Sequence, residues 1–258
     1  MIARLWGALL LALLPAVAPA QVVTLRADVW CPYNCQPNSP HPGYMIEIAE
    51  RAFAHYGIRI EYRTLPWSRT LVDVRAGRID GAVGATATDS AETRGLVWGQ
   101  EVLGQSHHVF AVRAGRPPIT NLADLATRSL VAIADYSYDD AIDAHIEAHR
   151  AMPERVMLLS GDDVTKRLIR LVLSGRVDAL IETRAVLDWE LRQIDVGEGL
   201  TLSGYGEPVP LTIAFTSADP RGQRYAAILD EGVRRMRASG EFGRILARYG
   251  VPDWVASN

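Results

Sequence analysis

The chain states one segment twice, and that repetition limits the folds open to it. Leu71 to Ala85 reads LVDVRAGRIDGAVGA, and Leu168 to Glu182 reads LIRLVLSGRVDALIE. Gly77 aligns with Gly175, Arg78 with Arg176, Ile79 with Val177 and Asp80 with Asp178. Each copy is an apolar-periodic helix, a glycine able to take the left-handed conformation at its end, and a short apolar strand. The spacing far exceeds that of a stacked solenoid repeat. It predicts two α/β lobes of roughly 100 residues each.

The first 20 residues read as a secretory signal. Arg4 supplies the positive start, Leu9 to Leu14 the apolar run, and Ala18-Pro19-Ala20 the small-residue site. The expectation is cleavage after Ala20 and export to the periplasm. The formal net charge is −3, and −4 once Arg4 is removed. No basic face for nucleic acid is therefore expected. Cys31 and Cys35 are the two cysteines. In an oxidising compartment the pair reads as a disulfide that shapes its loop. The spacing matches neither a redox CxxC nor a zinc site.

Candidate binding residues fall where strands end, the usual ligand side of an open α/β sheet. Val22 to Val29 reads as the first strand, and the Pro-, Asn- and Cys-rich loop after it carries Trp30 and Tyr33. Tyr33 either packs into its lobe or faces a ligand. Tyr44 to Tyr56 predicts an amphipathic helix. Pro66 and Ser68 suit a helix start and place Trp67 and Arg69 at a sheet edge. Arg69 is either solvated or bidentate to an anion. After the third strand, Thr86 and Thr88, with Arg94 and a turn capped by Asp89 or Ser90, suit a carboxylate. In the second lobe Tyr136, Ser137 and Tyr138 open a helix, and Glu182 stands where a strand ends. Glu182 is either a surface residue or the acceptor of a ligand ammonium. His145 and His149 have helical metal spacing but no third ligand, so no metal and no cofactor is expected. No GxSxG, P-loop, GxGxxG or HExxH motif occurs, and no residue is assigned a catalytic role.

Taken together, Trp30-Cys31-Pro32-Tyr33, Gly43-Tyr44-Met45-Ile46-Glu47, Leu65-Pro66-Trp67-Ser68-Arg69, the two Gly-Arg-x-Asp copies, Gly240-Glu241-Phe242 and Tyr249-Gly250 carry a resemblance. The chain resembles the family 3 extracellular solute-binding proteins, the periplasmic amino-acid-binding receptors of ABC transporters. The resemblance implies a type II periplasmic-binding-protein fold: two α/β lobes joined by a two-crossing hinge, with a ligand cleft between them. Lobe 1 would comprise residues 21–103 plus 209–258, and lobe 2 residues 104–208. By the same resemblance Tyr33 matches the aromatic against the ligand, Ser137 a hydroxyl donor, and Glu182 the acid that holds an α-ammonium. Two departures stand out. Glu47 replaces the usual Asp, and Arg94 is displaced from the carboxylate-binding TxxR position, leaving Arg69 or Arg94 for that role.

The implied function is capture of a small polar solute, an amino acid or related carboxylate, and its delivery to a membrane permease or a sensor. The protein is expected to act as a monomer and not as an enzyme. The rival readings are an exported dehydratase-like enzyme on the same scaffold, and a stand-alone sensory binding protein.

Overall fold

The computed structural model describes residues 21–88, 93–194, 197 and 199–254. The expected signal segment, and the expected cap at Asp89 or Ser90, lie outside the described residues. Strand β1 (Val22–Ala27) buries alternate residues, Val23, Leu25 and Ala27, as a one-sided strand must. Helix α1 (Tyr44–Ala54) buries Tyr44, Met45, Ile48, Ala49, Ala52 and Phe53 on its apolar stripe. It stops short of the predicted Tyr56, which is 41% exposed and donates its hydroxyl to Glu231. The tyrosine hydroxyl needs a partner, and it finds one at the surface.

Next come β2 (Arg59–Thr64), α2 (Trp67–Arg75), β3 (Gly81–Thr86) and β4 (Gly104–Ser106). The chain then lays down β5 (His108–Arg113), β6 (Leu130–Ile133), α3 (Asp140–His149), β7 (Val156–Leu159), α4 (Val164–Leu173), β8 (Ala179–Thr183), α5 (Arg184–Gln193) and β9 (Leu200–Gly204). It ends with β10 (Val209–Phe215), α6 (Arg221–Ala238) and α7 (Glu241–Arg248).

These strands form two sheets of the same design, ordered β2-β1-β3-β10-β4 and β7-β6-β8-β5-β9. In each, three parallel strands joined through helices meet an antiparallel neighbour: β10 beside β3, and β5 beside β8. The fold is the two-sheet α/β architecture that the repeat predicts. The two passages between sheets run side by side. β4 pairs with the start of β10, and β5 pairs with β9, leaving His107 on one passage and residues 205–208 on the other.

The repeat occupies equivalent places in the two sheets. Gly77 and Gly175 end α2 and α4 with φ of 68° and 71°, a conformation that a side chain disfavours. The aspartate that follows is a structural clip in each copy. Thr24 donates its N–H and hydroxyl to Asp80 Oδ2, both at 2.7 Å, and Asp80 N–H returns a bond to Thr24 Oγ1 at 3.0 Å. Ser129 makes the same three bonds with Asp178, all at 2.9 Å. Each clip fixes the start of a sheet's first parallel strand against the turn that launches its third.

The largest apolar core lies where α1, α6 and α7 cover the first sheet. α6 comes closest to α1 at Gly232, where an added Cβ would stand 2.3 Å from Ala52 Cβ and 2.6 Å from its Cα. Gly232→Ala should therefore destabilise the protein by about 1–3 kcal/mol, overpacking outweighing the gain of about 1 kcal/mol in helix propensity. Urea unfolding measures this; a stabilised variant would show that the helices separate freely.

Candidate functional site

At the carboxyl end of β1 the chain turns sharply. Trp30 N–H donates to Asn34 O at 2.8 Å, and the N–H groups of Tyr33 and Asn34 return to Trp30 O. Asn34 Nδ2 donates to Asp28 O at 2.6 Å, and Cys35 N–H to Pro42 O at 2.8 Å. The Cys31–Cys35 disulfide closes the same turn. These bonds stack the Trp30 ring on Tyr33, with centroids 4.4 Å apart. Tyr33 is buried in the first core and donates its hydroxyl to Gln105 O at 2.6 Å. It packs into its lobe and backs the Trp30 ring.

The second sheet meets this turn with the ends of β6 and β8. Glu182, 1% exposed, accepts from Thr183 N–H at 2.7 Å and from the Thr165 hydroxyl at 3.0 Å. Its third donor comes from the other sheet: Trp30 Nε1, at 3.3 Å. Tyr136 reaches back the other way, donating its hydroxyl to Asp28 Oδ2 at 2.6 Å. Its ring stands edge-on to Trp30. Tyr138 is buried beside it and accepts from Ile133 N–H. Two carboxylates and four aromatic rings thus gather at one boundary between the sheets.

Neither carboxylate has an ion-pair partner among the described residues. Burial pushes the Glu182 carboxyl up to about 7, against the lowering bonds from Thr183, Trp30 and Thr165 and with a lesser push upward from the Asp28 charge. Burial also raises Asp28, against the lowering bond from Tyr136. The Tyr33 hydroxyl is driven upward by burial and by the Glu182 charge. The site can therefore accept hydrogen bonds and positive charge, and Glu182 can hold or release a proton near neutrality.

The other expected residues lie apart from this cluster. Arg69 pairs with Asp73 on its own helix at 3.0 Å, its side chain 60% exposed. Arg94 is exposed. Trp67 packs on the small core beside α2. Thr88 is exposed, its carbonyl accepting from the Thr93 hydroxyl. Ser137 is exposed and donates to Asp143 at 2.6 Å. Thr86 sits at the end of β3 with its hydroxyl oxygen buried and unpartnered.

Sequence reasoning missed Asp28 and Thr165. Asp28 sits at a strand end two residues before Trp30, the signal already used for Trp30 and Glu182. Thr165 is in the first turn of α4, and its significance lies in Glu182, 17 residues on. A cavity of about 160 Å³ borders Tyr136, lined also by Asp135, Asp143, Glu147 and Arg150. A larger one of about 560 Å³ follows the end of α5 and β9 and touches none of the clustered residues. Among the described residues, no three His, Cys, Asp or Glu side chains converge to hold a metal ion.

Comparison with known proteins gives one family. The model of the bacterial extracellular solute-binding proteins, family 3, matches residues 22–252. No curated protein matches the chain by sequence. Among solved structures, it is similar to a histidine kinase sensor domain with similarity to periplasmic binding proteins, at 20% identity and a TM-score of 0.72, covering 90% of this chain and 97% of that one. An ABC uptake transporter substrate-binding protein from Streptococcus pneumoniae with bound histidine matches at 17% identity and TM-score 0.72, covering 89% and 92%. The ancestral amino acid-binding protein AncCDT-1, a precursor of cyclohexadienyl dehydratase, matches at 15% and TM-score 0.67, covering 88% and 95%. At these identities the structures establish the fold.

The folded Glu182 carboxyl holds its proton more tightly than an unfolded one does. Its contribution favours the native state at low pH and is lost as pH rises from 4.5 through about 7. Relative to a Glu182→Gln variant, the ligand-free wild type should lose about 3 kcal/mol between pH 4.5 and pH 8. Parallel denaturation curves at the two ends of that range test it; an unchanged difference would place Glu182 in contact with water.

Proposed function

This chain belongs to the bacterial extracellular solute-binding proteins, family 3, and we propose that it captures a small polar solute of the amino-acid class between its two lobes. The observation that carries this reading is the crossed pair of bonds at the boundary, Trp30 to Glu182 and Tyr136 to Asp28. Each lobe supplies one acid and one aromatic donor. A ligand ammonium competes directly with the Trp30 N–H for Glu182 Oε1, and its body then lies against the Trp30 ring. Tyr33 fixes that ring from behind, and Tyr136 and Tyr138 wall the opposite side.

We take the lobes to divide as residues 21–103 with 209–258, and 104–208, with Gly104–Ser106 as the strand by which the chain leaves the first sheet. Closure about the paired passages brings the two halves of the site together. The protein is exported to the periplasm after cleavage following Ala20, acts as a monomer, and delivers its solute to an ABC permease. The likeness to a sensor domain supports a second kind of receiver, a membrane sensor.

One observation favours a catalytic alternative. A buried carboxyl titrating near 7 is suited to general acid–base work. Turnover of prephenate or arogenate by the wild type, abolished in Glu182→Gln, would establish a dehydratase.

Scanning fluorimetry of the mature protein against amino acids and their amine derivatives tests the binding reading. The expected outcome is a rise of several degrees in Tm with at least one member, lost in Glu182→Gln and in Trp30→Ala. No shift across the panel would defeat it.

A further inference from the structure

The charge balance at the lobe boundary selects among the solutes of that class. Asp28 and Glu182 are brought together there with no Arg, Lys or His paired to either among the described residues. The arginines around this boundary turn to other acids or to solvent: Arg26, two residues before Asp28, to Glu61, Arg69 to Asp73, Arg150 on the cavity beside Tyr136 to Glu147, and Arg94 to an exposed position. A zwitterion entering here would bring a third carboxylate beside two that are already withdrawn from water and have no paired cation among the described residues.

The remaining features of the wall suit a cation. Trp30 and Tyr136 meet edge to face and Trp30 stacks on Tyr33, so aromatic rings line the boundary beside the acids, and such rings attract cations. Of the three donors to Glu182, only the Trp30 indole comes from the opposite lobe, and its bond is the longest. It is the one a ligand displaces without disturbing either lobe. Asn34 adds a further acceptor: it is 1% exposed, and among the described residues its Oδ1 has no hydrogen-bond partner. A Cβ built on Gly84 would stand 3.2 Å from Asn34 Oδ1 and 3.3 Å from Trp30 Cε3.

We propose that the site takes an organic cation without a carboxylate at its buried end, held by Asp28 and Glu182 between the Trp30 ring and those of Tyr136 and Tyr138. This rests on the interlobe reading of the binding site given above, and narrows it from the amino-acid class to decarboxylated or carboxylate-free amines.

Matched pairs of compounds test it by calorimetric titration of the mature wild-type protein: agmatine against arginine, putrescine against ornithine, choline against glycine betaine. Expected is that at least one cation binds tenfold or more tightly than its carboxylated partner. That affinity should fall at least tenfold in Asp28→Asn and in Glu182→Gln, and persist in Arg69→Ala and Arg94→Ala. Circular dichroism establishes that each variant is folded, and the wild-type comparison stands without any variant. Carboxylated partners that bind as well or better overturn the proposal and leave the interlobe site standing. Amine binding that survives both acid variants, or that is lost with either arginine, overturns it as well. If no compound in the panel binds, both this proposal and the reading it rests on fall.

Discussion

A carboxylate withdrawn from water and, among the described residues, met by no cation is the constraint around which the lobe boundary is built. Such a group is tolerated only when its oxygens are given donors or a proton. Glu182 obtains a donor from its own strand's next residue, another from the first turn of α4, and a third from the facing lobe. This explains why the loops that face one another here carry Trp and Tyr where aliphatic residues would seal as well. The rings exclude water while their N–H and O–H groups still reach an acceptor. The Cys31–Cys35 turn has its purpose here too, because the Trp30 indole must be held at one place and angle to reach across.

Much of the scaffold is legible in the chain. The repeated Gly-Arg-x-Asp works as a sign because each glycine adopts positive φ and each aspartate closes a clip, both local requirements written in local residues. The two-lobe plan follows from the repeat's spacing. The clip partners, Thr24 and Ser129, were not read, because they lie far from their aspartates along the chain. Glu47 in place of the usual Asp also has a physical account. The longer side chain reaches the Tyr249 hydroxyl and the Arg248 guanidinium, tying α1 to α7.

The candidate site was legible in part. Strand ends and aromatic content point to Trp30, Tyr136 and Glu182, which converge. The long flexible cations did not follow their expected placement, since a strand-end position does not fix which way an arginine turns. Arg69 was decided by Asp73 four residues on, a partner that helical spacing alone makes available. Asp28 was missed because its significance lies in what it faces, the Tyr136 hydroxyl more than 100 residues away.

The strand order carries a consequence for how the molecule is assembled. The second sheet is drawn from one continuous stretch, β5 to β9, whereas β10 enters the first sheet between β3 and β4 only after that stretch is complete. The middle lobe therefore has every strand it needs while the outer one still lacks an interior strand. Until the chain returns, β3 offers an unpaired edge and β4 has nothing to pair with. Long-range pairing of that kind is slow and exposes strand edges to other chains. In this topology, the lobe that begins the chain is the last to be finished.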